Sequence, residues 1–520
     1  MPPSRAGKMP APTTGLSITF LSRQRGFAHT IAHNRTLEMK TTCLLRAAAL
    51  AIVGALLTIN FATAGDTGAF NVLDFGAKGD GTSLDTLAIQ KTIDACATAG
   101  GGEVLLAGGK TFLTGSIRLR SHVDFHLASG SILKGSADWR DYGKVGALLF
   151  AENERGIILS GDGTVDGNDH AVWQKLADEE AQGDVNSTNW WPNSFTGDYW
   201  PVGKKSGEIQ KAGGRPMMVL FAGCDHVQLR NVTLQSAPTW TVHLAGCHDV
   251  SIESLSIQNN WDVANNDGID LDHCRDVRIA NCQLHCAGDG IVLKNTPNFA
   301  QYGPTEKVTV IGCVLESRSA ALKIDEVYTD AVRDVVFSDC VIRNSNRGMC
   351  IQSRDSGDIE NILFANIIVE TRYWTGKWWG AGEPIDITLL PRNPDTKLGH
   401  LQHIRFTNIL CRGENGAFLL GDPAHPLEDV VFDNVRIEIT KTGNEKGGFY
   451  DLRPQNGVTN SVYNAKLVGV YARNLHGFSL INSGVVWNKL PDNSYGVALD
   501  YAHVEQVMID HFNGPPSPTP

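Results

Sequence analysis

A short motif recurs along the middle of the chain and constrains its fold more than any other feature. Each copy is a run of alternating apolar residues that reaches a turn-forming residue four positions after its first apolar residue. The first apolar residues are Val227, Val250, Val277, Val308, Val335, Ile362, Ile404 and Val430, separated by steps of 23, 27, 31, 27, 27, 42 and 26 residues. The turn-forming residues are Asn231, Ser254, Asn281, Gly312, Asp339, Asn366, Asn408 and Asn434, types that bond the local backbone or tolerate a left-handed conformation.

The length of the repeat selects among repeat architectures. A propeller blade of four strands needs about 40–45 residues, whereas most of these steps are near 25. Alternation within each strand places one set of side chains inside and the other outside. The repeats therefore predict an all-β fold, a single-stranded right-handed parallel β-helix, with a loop inserted at the 42-residue step. Because a solenoid lengthens by adding coils, we expect one catalytic domain over residues 65–510.

Ahead of the repeats, one segment has the pattern of a helix. Residues Leu84–Ala99 carry Leu87, Ile89, Ile93 and Cys96 at helical spacing, and glycines follow. A stack of coils exposes its first apolar layer unless something covers it. The segment predicts a short helix that caps the N-terminal end.

The two ends of the chain differ in composition from the repeats. Residues 1–38 are polar and basic, and we interpret them as a non-native extension upstream of a second start at Met39. An apolar run over 44–61 leads to Ala-Thr-Ala at 62–64, which predicts a cleaved signal peptide at 39–64 and a secreted, extracellular or periplasmic protein. A membrane anchor is disfavoured because a span needs about 20 apolar residues. The Pro-rich residues 511–520 predict a disordered tail.

Composition restricts the partners. A net charge of −11 argues against nucleic acid and against anionic membrane surfaces, so no membrane contact is expected after signal cleavage. Most of the 11 cysteines lie beside apolar repeat positions, where they are expected to act as small buried hydrophobes. His400 and His403 lack further ligands nearby, so we predict no metal and no cofactor. We expect a monomer.

Two acidic clusters lie on neighbouring repeats. Asp267 follows Asn266, and Asp289 follows Gly288, 22 residues later. In a coiled β-structure of about that period the two aspartates become neighbours on adjacent coils. A pair of carboxyl groups over a cleft is what acid–base cleavage of a glycosidic bond requires.

Two insertions rich in aromatic residues are candidates for the walls of such a cleft. One covers residues 171–214 and contains Trp173, Trp190, Trp191, Tyr199 and Trp200; the other covers Tyr373–Glu383 and contains Trp378 and Trp379. Large aromatic rings either stack on sugars or anchor their own loop. We expect both insertions to flank the acidic pair and to present at least one exposed tryptophan.

Several stretches resemble the polygalacturonase family of glycoside hydrolases, family 28. They begin at Arg215-Pro216, continue through Ser236–His243 and Asn266–Asp270, and end at Gly288–Lys294; the resemblance runs from about Phe70 to at least Asn366. It implies a right-handed parallel β-helix that cleaves pectic polysaccharides by inversion, with three aspartates and no metal. By the resemblance, Asp267 and Asp289 match the two aspartates that hold the attacking water.

The resemblance also shows where this chain departs from the family. Gly288 stands where the family has its general acid, so either Asp289 takes that role or a carboxyl from the next coil, Asp325 or Glu326, does. The Gly-His-Gly motif falls near residues 319–321, and the Arg-Ile-Lys motif that grips the uronate aligns with residues 350–352, Cys-Ile-Gln. The substrate-binding residues that we predict are Asp270, Lys294, Lys323, Trp378, Trp379 and Glu383; the other nearby cations are Arg318, Arg347 and Arg354.

Three functions are compatible with these residues. The first is a secreted glycosidase that cleaves a pectin-type or related cell-wall polysaccharide by inversion with the paired aspartates. The second is a polysaccharide lyase on the same scaffold, with Ca²⁺ held by Asp267, Asp270 and Asp272, which would give calcium-dependent activity and an unsaturated product. The third is a glycan-binding β-helix without catalysis, which would bind sugars and turn over none.

Overall fold

The computed structural model of the chain describes residues 69–181, 215–374, 378–443, 449–453, 462–464, 466–488, 490 and 495–518. All of them belong to one unit, Thr67–Pro520. The predicted upstream extension and signal peptide lie outside the described residues. Among the residues described, no helix is both long and apolar enough to cross a membrane.

The strands are short and follow one another closely along the chain. The first ten are β1 Phe70–Asn71, β2 Asp80–Leu84, β3 Gly102–Leu106, β4 Thr111–Thr114, β5 Ile117–Arg118, β6 Val123–Leu127, β7 Ile132–Gly135, β8 Ala147–Glu152, β9 Arg155–Gly161 and β10 Thr164–Asp166. The next ten are β11 Met217–Ala222, β12 Asp225–Arg230, β13 Thr233–Gln235, β14 Val242–Ala245, β15 His248–Glu253, β16 Ser256–Gln258, β17 Ile269–Asp272, β18 Arg275–Ala280, β19 Gln283–Cys286 and β20 Ile291–Asn295.

The remaining strands lengthen towards the C-terminal end. They are β21 Thr305–Ile311, β22 Val314–Ser317, β23 Ala320–Val327, β24 Ala331–Ser338, β25 Val341–Ser345, β26 Arg347–Ser353, β27 Asp358–Thr371, β28 Ile385–Leu389, β29 Leu401–Gly413, β30 Ala417–Gly421, β31 Leu427–Ile439, β32 Phe449–Asp451, β33 Val462–Asn464, β34 Val470–Ile481, β35 Gly484–Trp487 and β36 Leu499–Asp510. The helices are α1 Thr86–Thr98 and α2 Asp169–Ala181, with 3₁₀ turns at Val72–Phe75, Trp139–Tyr142 and Pro297–Tyr302.

Parallel pairing between strands one coil apart builds the fold. In the middle of the chain each strand pairs with the third strand after it, as in β12–β15–β18–β21, so one coil contains three strands. The pairing is in register and stacks the eight apolar residues of the repeat motif in one line, from Val227 to Val430. The predicted fold, a right-handed parallel β-helix, is confirmed.

The turn-forming residues of the motif adopt the conformation that their types suggested. All eight have positive φ, between 54° and 67°. A second column, which the sequence did not reveal, lies just before each first apolar residue and is also left-handed: His226, Asp249, Asp276, Lys307, Asp334, Asn361, His403 and Asp429. In each coil, left-handed residues therefore stand on both sides of the four-residue segment that begins with the apolar position.

Amide side chains tie neighbouring turns together along the axis. Asn366 donates to Asp339 at 3.2 Å, Asn408 donates to Asn366 at 3.0 Å, and Asn434 donates to Asn408 at 2.9 Å. Because each asparagine has both a donor and an acceptor, the ladder continues from coil to coil.

The interior is apolar along the whole described length. Phe337, Phe364 and Phe406 stack on successive coils with ring centroids 4.9 Å apart. The ten described cysteines are free and buried, as expected of small hydrophobes. Helix α1 closes the N-terminal end and buries Ile89, Ile93 and Cys96 completely.

Residues 511–518, part of the tail predicted to be disordered, form hydrogen bonds to the end of the coiled stack. The backbone N–H of Asn513 donates to Ser483, and Ser517 donates to Gly496. The indole of Trp487 also donates to the carbonyl of Pro515 at 2.8 Å. Although rich in proline, the segment is held by hydrogen bonds to the last coil, because several of its backbone groups still find partners there.

The asparagine turns give a direct test of the fold. Asn408→Gly removes the amide ladder at one turn but keeps the left-handed backbone. Asn408→Ala removes the ladder and also places a Cβ at a φ of 57°, which costs about 1–2 kcal/mol. We expect urea unfolding to show a lower free energy of unfolding for the alanine variant than for the glycine variant. Equal stability of the two variants would contradict the assigned backbone conformation.

Candidate active site

In-register stacking brings Asp267 and Asp289 together. Ile269 of β17 pairs with Ile291 of β20, so the residues two positions earlier are also neighbours. The backbone N–H of Asp289 donates to Oδ1 of Asp267 at 3.1 Å. The two residues are 6% and 8% exposed, respectively. The predicted juxtaposition of the two aspartates is present.

The carboxyl group of Asp289 is held at both oxygens. Oδ1 accepts the backbone N–H of Ala320 at 2.9 Å, and Oδ2 lies 2.8 Å from Nζ of Lys323. Lys323 is 1% exposed and lies 2.8 Å from Asp325 as well. Burial alone would lower the pKa of Lys323, but Asp289 and Asp325 raise it above its ordinary value. The ammonium group of Lys323 therefore stays charged and holds the Asp289 carboxyl group in place.

Asp267, unlike Asp289, makes no ion pair with a lysine in the described part of the chain and lies close to two other carboxyl groups. Burial raises the pKa of its carboxyl group first, and the nearby Asp270 and Asp289 raise it further. Lys294 and Lys323 oppose this shift, yet the pKa remains well above its ordinary value. A raised pKa favours the protonated form of Asp267, which is the form that a general acid requires.

Gly288, which replaces the family's general acid, fits closely against Asp267. A Cβ atom at Gly288 would lie 1.9 Å from Oδ1 of Asp267, far inside contact distance. Asn266 fixes this turn, because its Oδ1 accepts the N–H groups of Ala287 at 2.7 Å and Gly288 at 3.0 Å. Only glycine allows the Asp267 carboxyl group to occupy this place.

The other acidic residues of the cluster have partners of their own. Asp270 is fully buried and lies 2.8 Å from Nζ of Lys294, whose ammonium group is 3.9 Å from the ring centroid of Trp240. Asp272 accepts the N–H of Thr296 at 2.8 Å and its hydroxyl at 2.6 Å. These carboxylates do not converge on one point with Asp267. Within the described ranges no group of three or more His, Cys, Asp or Glu residues is arranged to hold a metal ion.

Neither carboxyl of the next coil is suited to replace the general acid. Burial alone would raise the pKa of Asp325, but Lys323, Lys294 and Arg354 lower it to about 2, so Asp325 stays ionised. Glu326 has a raised pKa, chiefly through burial, but its carboxylate lies 3.7 Å from Nζ of Lys294, whereas Asp289 pairs with Lys323. Both alternatives predicted from sequence are therefore disfavoured.

The Tyr373–Glu383 insertion lies beside the pair, although not as expected in detail. Trp378 is only 8% exposed and packs against Ala264 and Ala287, so it is not an exposed stacking surface. Trp379 is half-buried, with its ring centroid 5.7 Å from Nζ of Lys323. Residues 375–377 lie outside the described residues. Trp379 is thus the better candidate of the two for contact with a sugar.

The other insertion begins with a helix rather than a loop. Helix α2 covers Asp169–Ala181, and Trp173 on it lies 5.1 Å from the guanidinium of Arg215. The remaining aromatic residues of this insertion, from Trp190 to Trp200, lie outside the described residues.

Glu383, predicted to bind substrate, is covered by the protein. It is 1% exposed, accepts the N–H of Ala381 at 2.7 Å and lies 3.8 Å from Nε of Arg347. Burial raises the pKa of Glu383 to about 7. Asp270, Lys294 and Lys323 are likewise 3% exposed or less. These four side chains present almost no surface to a substrate and instead set the charge and shape of the site from beneath.

A further segment that the sequence did not reveal covers the face next to Lys323. Arg347 donates to the carbonyls of Asp451 and Arg453, and Arg453 donates to the carbonyl of Trp378 at 2.7 Å. Tyr450 on β32 stacks on Phe418 with ring centroids 4.3 Å apart. Val430 pairs with Phe478, which lies 48 residues further along the chain. This step is longer than most of the others in the repeat, and its length is the sequence signal that could have indicated the inserted segment.

Comparison with known proteins identifies the family of the chain. The model of the glycosyl hydrolases family 28 matches residues 106–446. A probable polygalacturonase of Vitis vinifera is 25% identical over 400 residues, 71% of this chain and 74% of that protein. An exo-poly-alpha-D-galacturonosidase of Dickeya chrysanthemi is 25% identical over 343 residues, 57% of this chain and 54% of that protein. The solved family 28 exopolygalacturonase of Yersinia enterocolitica shares the fold, with a TM-score of 0.58, 16% identity and coverage of 84% of this chain and 78% of that one.

The contact between Gly288 and Asp267 predicts that position 288 tolerates no side chain. Gly288→Ala and Gly288→Asp both displace the Asp267 carboxyl group, so we expect each to lower kcat by about 10²-fold or more. The matched control is Gly496→Ala, whose Cβ would meet its nearest atom at 3.6 Å, an ordinary contact. Full activity of Gly288→Ala, or a gain on restoring the family's aspartate, would contradict the assigned contact.

Proposed function

The chain belongs to family 28 of the glycosyl hydrolases, and we propose that it hydrolyses a pectin-type or related cell-wall polysaccharide with Asp267 as general acid and Asp289 as general base. The observation that carries this assignment is the asymmetry of the pair. The two oxygens of Asp289 accept from Lys323 and from the N–H of Ala320, while burial and neighbouring carboxylates raise the pKa of Asp267. A base needs a free lone pair and an acid needs a proton, and the two environments supply one of each.

In the proposed reaction, Asp289 accepts a proton from a water molecule as the water oxygen bonds to the anomeric carbon. The glycosidic C–O bond breaks at the same time, and Asp267 gives its proton to the leaving oxygen. Solvent then returns a proton to Asp267 and removes one from Asp289. The positive charge that develops on the sugar ring is favoured by the carboxylate of Asp289.

Asp267 therefore takes the role that Gly288 leaves open. The resemblance alone would make both aspartates water-activating, but that assignment provides no proton donor. The close fit of Gly288 against Oδ1 supports the reassignment, since the position of the missing side chain is occupied by the Asp267 carboxyl group.

The proposed substrate class is supported by the relatives, and the proposed location by the signal-like segment. The Vitis vinifera and Dickeya chrysanthemi relatives are named for action on polygalacturonate, a pectic polymer. Such polymers lie outside the cytoplasm, which agrees with the signal-like segment predicted at 39–64. We therefore propose secretion, extracellular or periplasmic, and action as a monomer without a metal.

The two roles predict different responses to the leaving group. On the pectic polymer, Asp289→Asn and Asp267→Asn are each expected to lower kcat by about 10²–10⁴-fold. In a 4-nitrophenyl glycoside of the same sugar, the leaving group is 4-nitrophenolate, which needs no proton from an acid. The Asp267→Asn variant is therefore expected to recover much of the activity on this substrate. The Asp289→Asn variant is not expected to recover activity on the 4-nitrophenyl glycoside, because a water molecule must still be activated.

Initial rates on both substrates, with thermal unfolding as the control for folding, decide the matter. Full activity of Asp289→Asn on the polymer would refute the site. Equal losses of Asp267→Asn on both substrates would refute its role as the acid. Binding of pectic glycans by the wild-type protein with no turnover would favour the non-catalytic alternative.

A further inference from the structure

The guanidinium group of Arg318 is enclosed by three indole rings. Its carbon lies 4.7 Å from the ring centroid of Trp261, 4.7 Å from that of Trp374 and 5.3 Å from that of Trp378. These distances are typical of cation–π contacts. The rings come from two separate segments, so the fold assembles this cage rather than a local sequence. His285 supports it, with its ring 4.1 Å from Trp261 and nearly perpendicular to it.

The cage leaves donors of Arg318 unused. Nη1 donates to the carbonyl of Trp261 at 2.9 Å, but Nε is buried and has no hydrogen-bond partner. Arg372 lies on Trp374 as well, at 4.4 Å, and its Nε is also buried without a partner. A buried donor without an acceptor is costly, which points to an acceptor that arrives from outside.

Among the described residues no carboxylate lies within ion-pair distance of either Arg318 or Arg372, and Asp262 attracts Arg318 only from further away. The other cations close to the pair are engaged: Lys294 with Asp270, and Lys323 with Asp289 and Asp325. Arg318 and Arg372 are therefore positive charges near the pair that have no carboxylate partner in the described part of the chain.

The cage borders the catalytic pair directly. The backbone N–H of Arg318 donates to Cys286, and two residues later the N–H of Ala320 donates to Asp289. Trp378 packs on Ala264 and Ala287, which precede Asp267 and Asp289 by three and two residues. A sugar positioned at the pair would therefore have Arg318 beside it.

Resting on the function proposed above, we propose that Arg318, held by Trp261, Trp374 and Trp378, binds the carboxylate of a uronate residue of the substrate. A planar guanidinium can bind a carboxylate through two parallel hydrogen bonds, and the surrounding indoles exclude water and strengthen them. The guanidinium group of Arg372, which also contacts the ring of Trp374, adds positive potential at this place. The cage thereby replaces the cations that the family has at the positions of Cys350 and Gln352, where this chain has none.

The test compares an acidic ligand with its neutral ester. Calorimetry with the inactive Asp289→Asn protein measures the affinity for oligogalacturonate and for the same oligomer with every carboxylate methylated. Adding Arg318→Gln is expected to weaken the acidic ligand by about 10–100-fold and the ester by much less. In the otherwise wild-type enzyme, Arg318→Gln is expected to raise KM for the acidic polymer more than it lowers kcat.

Two further variants separate a charge effect from a packing effect. Arg318→Lys keeps the charge but not the planar fork, and we expect it also to weaken the acidic ligand; it carries the test if Arg318→Gln does not fold. Arg278→Gln is the matched control, because Arg278 pairs with Asp249 on the exposed surface. Equal effects of Arg318→Gln on acid and ester, or no effect on either, would overturn the proposal and leave the cage as packing.

The outcome is distinguishable from a failure of the proposed function. Arg318-dependent binding of the acidic oligomer by a protein that hydrolyses no glycan would uphold the cage and refute the hydrolase. Hydrolysis of a pectic polymer with the same preference for acid over ester in Arg318→Gln would uphold the hydrolase and refute the cage.

Discussion

In-register parallel pairing between coils is the constraint on which the rest of the structure depends. Adjacent coils lie about 4.8 Å apart, and residues that pair lie on the same face, so chemistry at one position is always next to chemistry one coil away. This places Asp267 beside Asp289 and stacks the phenylalanines inside. A slip of one residue would turn each side chain to the opposite face and separate the pair.

The same stacking brings several carboxylates close together, and buried lysines pair with most of them. Lys323 lies between Asp289 and Asp325, and Lys294 lies against Asp270, each at 2.8 Å. Among the described residues Asp267 has no such ion pair, and burial raises the pKa of its carboxyl group. In the proposed assignment, pairing and burial give two similar carboxyl groups the roles of base and acid, although the family's usual acid is absent.

The sequence predicted the features that follow from its repeat period. It did not predict the contacts between segments that lie far apart along the chain. Eight turn residues with a tolerance for left-handed backbone predicted the coils and the pairing of Asp267 with Asp289. The left-handed residues before each strand were missed because the column includes Lys307 and His403, types that do not signal a turn. The contact of Arg347 with the carbonyl of Asp451 joins residues 104 apart, and no local pattern encodes it. Burial of Trp378 was missed for the same reason, since Ala264 and Ala287 come from other coils.

The anomeric configuration of the released sugar tests the central claim most directly. A carboxylate that activates water gives inversion, whereas one that attacks the anomeric carbon gives retention. Both oxygens of Asp289 are engaged, by Ala320 and Lys323, which suits it to orient water rather than to attack carbon. Proton NMR of the first product is therefore predicted to show inversion. Retention would make Asp289 a nucleophile and contradict the assigned base.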